Sequence, residues 1–143
     1  MNKPDMTGKE KKMSRPRSKY YIPKERYYEL KHFCLQFPIW EDAYNHLNEC
    51  SLTNDSLVRN EINMKVEEVA TAKVYYISLM EIVADAVLSA TNDKVITSWL
   101  FEGVTRGKSF DQMELENGYS PCSRSEYYNT YKEFFYYLSL RRN

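Results

Sequence analysis

The chain has 143 residues, with twenty Lys and Arg set against twenty Asp and Glu, only four Gly and five Pro, and thirteen Tyr beside six Phe. That length carries one domain with a real core, and the shortage of Gly and Pro excludes collagen-like, linker-like and low-complexity classes and disfavours a turn-rich all-β fold. Three cysteines without motif spacing make no disulfide framework and point to a reducing compartment, while no run reaches the roughly 18 uncharged apolar residues of a membrane span and the charged N-terminus lacks the apolar centre of a secretory signal.

Charge is balanced overall but not along the chain. Residues 1–32 carry ten basic and four acidic side chains, residues 33–93 three and ten, and residues 94–143 seven and six. Within 1–18 the run Lys9-Glu10-Lys11-Lys12 and the pair around Pro16, Arg15 and Arg17, have no large apolar companion except Met. Such a segment buries too little surface to offset its ordering entropy, so 1–18 is expected to be a disordered basic arm, either a phosphate-seeking segment or a solubilising tail. The remainder divides into a helical scaffold over 19–90 and a helix-turn-helix region over 91–143, together one compact all-α domain.

Pro23 suits the first position of a helix, where an N–H is not needed. From there Tyr27, Leu30, Phe33 or Cys34, and Phe37 recur at the helical spacing, and Pro38 ends this helix or opens the next. Trp40, Tyr44 and Leu47 mark a second, short helix to about Glu49, and polar Ser51 to Ser56 reads as a loop. A third helix is expected from about Leu57 to Ala90. Its residues Ile62, Val66, Val69, Lys73, Tyr76, Met80, Val83 and Val87 form a heptad-like seam containing one lysine. The seam suits a coiled-coil homodimer or packing inside the chain. Apolar residues on nearly every side between Val74 and Leu88 favour an internal central helix, with a break allowed near Ala84–Ala90.

The last fifty residues hold the most informative pattern. Thr91 or Asn92 caps a helix through Val95, Ile96, Trp99, Leu100 and Val104, and Gly107 offers a left-handed stop. Ser109 and Gln112 read as a capping box opening a short helix with Phe110, Met113 and Leu115, which Asn117-Gly118 breaks. Ser123 and Glu126 read as a second capping box, opening a helix to about Leu140. Helix, Gly-bearing turn, short helix, turn, longer helix is the layout of a helix-turn-helix. Around the last helix Tyr127, Tyr131, Phe134 and Leu138 share the core side. Ser125, Tyr128, Asn129 and Lys132 share the other, with Arg124 at its start. Arg reads guanine and Asn reads adenine in bidentate fashion, and Lys and Ser suit phosphates or base edges. Arg106, Lys108 and Ser109, at the preceding turn, are placed to clamp the DNA backbone. The alternative for this face is an ordinary solvated surface, and Glu126 and Glu133 weaken it as an electrostatic platform.

Other patterns carry less. Gly103-Val-Thr-Arg-Gly107-Lys108-Ser109 resembles a phosphate-binding loop but has three residues between its glycines where four are needed, and no strand precedes it. His46 and Cys50 are one helical turn apart, yet a structural zinc wants four ligands, so no metal or other cofactor is expected. No nucleophile elbow or His-Glu-x-x-His is present, and the chain is not expected to be an enzyme. The tyrosine pairs Tyr20-Tyr21, Tyr27-Tyr28, Tyr75-Tyr76, Tyr127-Tyr128 and Tyr136-Tyr137 read as one inward and one rim residue each.

Two segments carry a family resemblance. The first is Lys19-Tyr20-Tyr21, Tyr27-Tyr28 and Phe33-Cys34-Leu35-Gln36-Phe37-Pro38 with Trp40 after it. The second begins Leu100-Phe101-Glu102-Gly103-Val104-Thr105, passes Pro121-Cys122, and runs from Tyr127-Tyr128 through Phe134-Phe135-Tyr136-Tyr137-Leu138-Ser139. In this order, over about residues 19–140, they resemble the small phage-encoded transcriptional activators of the RinA type, related in plan to ArpU-type regulators. The resemblance implies a late-gene activator with a C-terminal helix-turn-helix similar to sigma-factor region 4. It would bind promoter double-stranded DNA and help host RNA polymerase in the bacterial cytoplasm. Such proteins tend to carry adjacent arginines inside the last helix, where this chain has Thr130-Tyr131. The competing expectations are a small-terminase-like DNA-packaging component, which also joins a helix-turn-helix to oligomerising helices, and a protein-binding adaptor or inhibitor of a host machine.

Overall fold

Pro23 adopts extended backbone (φ −62°, ψ 151°) and stands just outside the first helix as its N-cap, one residue earlier than its sequence suggests. Its carbonyl accepts the Tyr27 N–H at 2.9 Å, so the imino acid starts the ladder without losing a donor. The computed structural model describes residues 18–53 and 66–142, and the expected arm lies outside them except for Ser18, whose carbonyl accepts the Tyr21 N–H at 3.0 Å.

The described residues form six α-helices: α1 (Lys24–Leu35), α2 (Phe37–Thr53), α3 (Val66–Ala90), α4 (Lys94–Arg106), α5 (Phe110–Asn117) and α6 (Arg124–Arg141). The chain is all-α, as expected. Only Gln36 separates α1 from α2, and Pro38 sits in the first turn of α2, where a missing N–H costs nothing. The second helix is longer than its apolar pattern indicates: it passes Glu49 and continues to Thr53, so residues 51–53 are helical rather than loop. Residues 54–65, with the rest of the expected loop, the start expected at Leu57 and the seam residue Ile62, lie outside the described set.

Helix α3 runs unbroken to Ala90, without the interruption allowed near Ala84. It packs along α2 on one side and α6 on the other. Seam residues Val69, Val83 and Val87 are buried and Tyr76 and Met80 half-buried, whereas Val66 is exposed. The seam is therefore spent inside the chain. Its lysine is accommodated by α2: the Lys73 ammonium donates to Asn48 Oδ1 at 3.1 Å and lies 5.8 Å from the Tyr44 ring centre. The additional apolar residues Val74, Tyr75 and Leu88 remain on the surface.

The cap of α4 is Asp93, not Thr91 or Asn92. Asp93 Oδ1 accepts the Val95 and Ile96 N–H groups at 2.9 and 3.0 Å, and Thr91 Oγ1 instead accepts the Asp93 N–H. Gly107 (φ 70°) and Gly118 (φ 79°) close α4 and α5 in the left-handed region that a side chain resists. Ser109 and Ser123 cap α5 and α6 as expected, but only the second box is reciprocal; the Gln112 amide turns away to Glu116 at 3.3 Å.

One core joins all six helices. Leu30, Phe33 and Cys34 of α1 meet Phe37 and Trp40 of α2, Val83, Ala86 and Val87 of α3, Trp99, Leu100 and Val104 of α4, Phe110 and Met113 of α5, and Tyr127, Phe134, Phe135 and Leu138 of α6. The two ends of the fold are tied together. Arg26 donates to the Ser139 carbonyl at 3.1 Å, the Tyr27 and Tyr131 hydroxyls share a 2.7 Å hydrogen bond, and the Arg142 guanidinium stacks 4.4 Å from the Phe33 ring centre. Four tyrosine pairs divide into an inner and a rim member. Tyr136 and Tyr137 are both half-buried, because Tyr20 packs against the two of them at 5.3 and 6.2 Å.

Candidate nucleic-acid interface

Helix α6 frames the candidate surface. At its start Ser123 Oγ accepts the Glu126 N–H at 3.1 Å, and Glu126 Oε1 accepts the Ser123 N–H at 3.4 Å. Its inner face is immobilised by Tyr127, Phe134 and Leu138, all essentially inaccessible, and by half-buried Tyr131. Burial, with the Tyr27 hydrogen bond, pushes the Tyr131 phenol well above the ordinary range, so it stays protonated and remains a hydrogen-bonding strut. The outer face carries Ser125, Tyr128, Asn129 and Lys132, all exposed, as the helical angle predicts.

The eight residues expected to contact DNA fall into three groups. Ser125, Asn129 and Lys132 have no hydrogen-bond or ion-pair partner among the described residues. Tyr128 and Ser109 hold the scaffold: Tyr128 Oη accepts the Phe110 N–H at 3.2 Å, and Ser109 Oγ accepts the Gln112 N–H at 3.1 Å, so both satisfy donors at the N-terminus of α5. The remaining three are paired with acids. Arg124 joins Asp111 in an ion pair between exposed side chains. Arg106 faces Glu41 of α2 at 3.9 Å. Lys108 donates to Glu102 at 2.5 Å and to Glu116 at 2.9 Å, bridging the end of α4 to the end of α5. Those two carboxylates hold the ammonium above its usual value, and Lys108 holds Glu116 below the usual carboxylate value. Exposed pairs of the Arg124 kind contribute little and exchange easily for a phosphate, whereas Lys108 is held from both sides.

The connection from α4 to α5 has three residues, Gly107 to Ser109; that from α5 to α6, Gly118 to Ser123, has six and contains Pro121, longer than the roughly three or four residues usual between the two helices of a helix-turn-helix. Trp99, Phe110 and Tyr127 lock the three helices together, with ring centres 5.6 and 5.4 Å apart in succession.

Two features of this region escape sequence reasoning. Gly103 is buried, and a Cβ there would lie 2.4 Å from Tyr127 Oη. That hydroxyl is itself buried with no hydrogen-bond partner among the described residues, and its burial raises the phenol above its ordinary value. Beside Tyr128 and Lys132, a cleft of about 630 Å³ opens between residues 18–24 and α6. The glycine contact joins residues far apart in the chain. For the cleft, the only signal in the sequence is the repeated Tyr-Tyr pairs flanking Lys24 and Lys132.

The stretch 103–109 is the end of α4 and its turn, with Lys108 engaged by carboxylates. Among the described residues no three His, Cys, Asp or Glu side chains gather as a metal site requires; the Cys50 side chain, partner in the His46–Cys50 spacing, lies outside that set. No helix among the described residues is long and apolar enough to cross a membrane. Comparison with protein-family models, with curated protein sequences and with solved structures gives no significant match to this chain.

Proposed function

We propose that the protein is a sequence-specific, double-stranded-DNA-binding transcription regulator of the phage activator kind, acting through α5 and α6 as a helix-turn-helix. The observation that carries the reading is the outer face of α6. Ser125, Asn129 and Lys132 stand exposed, and unpartnered among the described residues, on a helix whose reverse face is fixed in the core. Pre-positioned polar groups of this kind suit base edges in a major groove, with Asn129 matched to adenine and Arg124, once released from Asp111, to guanine. Lys132 supplies a phosphate contact. Tyr128 ties the start of α5 to the reading helix, and Ser109 caps α5. The aromatic α1 and the acidic α2–α3 surface form the scaffold and the side offered to RNA polymerase or a second protomer.

The test is selection of bound sequences from a random duplex pool at two salt concentrations. An enriched motif is the expected result, and Asn129→Ala then relaxes preference at one position at a cost of about 1–3 kcal/mol. No enrichment at either salt concentration overturns sequence recognition and moves the assignment to a protein-binding role.

A further inference from the structure

The cleft beside α6 has a composition that the duplex-reading proposal does not use. Its floor is aromatic: Tyr27 of α1 meets Tyr131 and Phe135 of α6 at ring-centre distances of 6.3 and 5.0 Å. Tyr21 and Tyr128 also line it and are 44% and 38% exposed. Two cations line the walls, Lys24 from α1 and Lys132 from α6, and no carboxylate among the described residues does. Lys24 lies 6.0 Å from the Tyr28 ring centre, an arrangement that does not neutralise it, and Lys132 has no ion-pair partner among the described residues. Glu133 raises the Tyr20 phenol but does not line the cleft.

A site with an aromatic floor, two ammonium groups and, among the described residues, no acid selects a flat ring that carries negative charge. Hydrophobic ligands without charge would leave the lysines unused, and inorganic anions would leave the rings unused. The volume, about 630 Å³, falls among small-molecule sites. We infer that this cleft is a binding site for a mononucleotide, its base stacked on the tyrosines and its phosphate held by Lys24 and Lys132. Because Lys132 is also the proposed phosphate contact, an occupied cleft withdraws it from DNA, and a mononucleotide competes with duplex.

The binding claim stands apart from the proposed function and is tested without duplex. The full chain is titrated with AMP and followed by amide and tyrosine NMR shifts. Shifts confined to residues 18–27 and 127–135 are expected, saturating in the millimolar range or below. Adenosine binds several-fold more weakly than AMP, and Lys24→Gln and Lys132→Gln each weaken AMP by about fivefold while leaving adenosine unchanged. The spectra of both variants also report that the fold is intact. Absence of shifts at these residues at millimolar AMP overturns the proposal. So does equal binding of AMP by the variants, or inorganic phosphate moving the same resonances as strongly as AMP. Binding of single-stranded oligo(dA) without any response to AMP replaces the mononucleotide by a strand and overturns it as well. Competition between AMP and a selected duplex is measured separately, so failure to find a duplex motif leaves the AMP result standing.

Discussion

Substituting Gly103 by Ala tests how closely α4 and α6 approach each other. The new methyl would sit 2.4 Å from Tyr127 Oη, about 1 Å inside ordinary van der Waals contact, and 3.2 Å from both the Lys108 carbonyl and Met113 Cε. The methionine tip can yield. The tyrosine cannot swing away, because it is 1% exposed and held by Phe110, Tyr128 and Tyr131. Overpacking of this kind costs about 3 kcal/mol at the upper end, offset by about 1 kcal/mol of helix propensity gained when Gly becomes Ala in mid-helix. The expected net loss is about 2 kcal/mol, a fall in Tm of about 8 °C for a chain of this size. Tyr127→Phe removes both the clashing atom and a buried hydroxyl without a partner among the described residues, so alone it gains about 1 kcal/mol. In the Tyr127→Phe background Gly103→Ala is then close to neutral. Urea denaturation followed by far-UV circular dichroism on the four proteins gives the coupling, expected at about 2 kcal/mol. Additivity within about 0.5 kcal/mol refutes the close approach, and destabilisation by Tyr127→Phe refutes the unpartnered hydroxyl.

Lys108→Met removes the bridge from α4 to α5. Glu116 is lowered by Lys108, so its contribution is complete above the ordinary 4.5 and disappears as pH falls through the lowered value; Lys108 is raised, so its contribution is complete below the ordinary 10.5 and disappears as pH rises through the raised one. The difference in Tm between wild type and variant is expected to be flat across the neutral range and to close in acid, and a difference unchanged well below 4.5 refutes the pairing. Burial pushes the Cys34 thiol up to about 12, whereas half-buried Cys122 is raised by burial, Glu126 and Asp93. In a Cys50→Ser background a thiol reagent should modify Cys122 first and Cys34 only on unfolding; equal rates in the native protein contradict the burial. With Lys132 the one cation expected to touch DNA that lacks an ion-pair partner among the described residues, residues 19–143 should bind a selected duplex with a shallow salt dependence, and the six basic residues of 1–18 supply the rest. Deleting 1–18 should lower affinity and reduce the slope by about 0.9 for every phosphate that the arm neutralises. An unchanged slope dismisses a role for the arm.

Features governed by near neighbours are legible in the amino-acid order. Ser109, Ser123, Gly107 and Gly118 act within a few residues, and they bound α4, α5 and α6 where local rules place them. Where several residues compete for one local role the outcome is settled elsewhere. Thr91, Asn92 and Asp93 are all good caps, and the last of them takes the position once Thr91 bonds its N–H. The extension of α2 to Thr53 escapes sequence reasoning because a polar terminal turn carries no apolar period. The outer face of α6 follows from angle alone, but the state of its cations does not. Lys108 meets Glu102 and Glu116 only because Gly107 reverses the chain, and Arg106 meets Glu41 from a distant part of the sequence. The aromatic cleft requires α1 and α6 to be neighbours, which no periodicity reports.

That neighbourhood sets the order in which the molecule can be built. Helix α6 supplies four of the buried core residues, packs along α3, accepts a hydrogen bond from Arg26 and shares one with Tyr27 at the opposite end of the fold. Contacts spanning 104 and 113 residues are among the last that a growing polypeptide can make. On the ribosome α1 to α5 must therefore wait for the last part of their core until α6 emerges, an interval in which partly exposed apolar surface is open to chaperones. Premature termination before residue 124 would release a chain that lacks Tyr127, Phe134, Phe135 and Leu138 from its core and the partners of Arg26 and Tyr27.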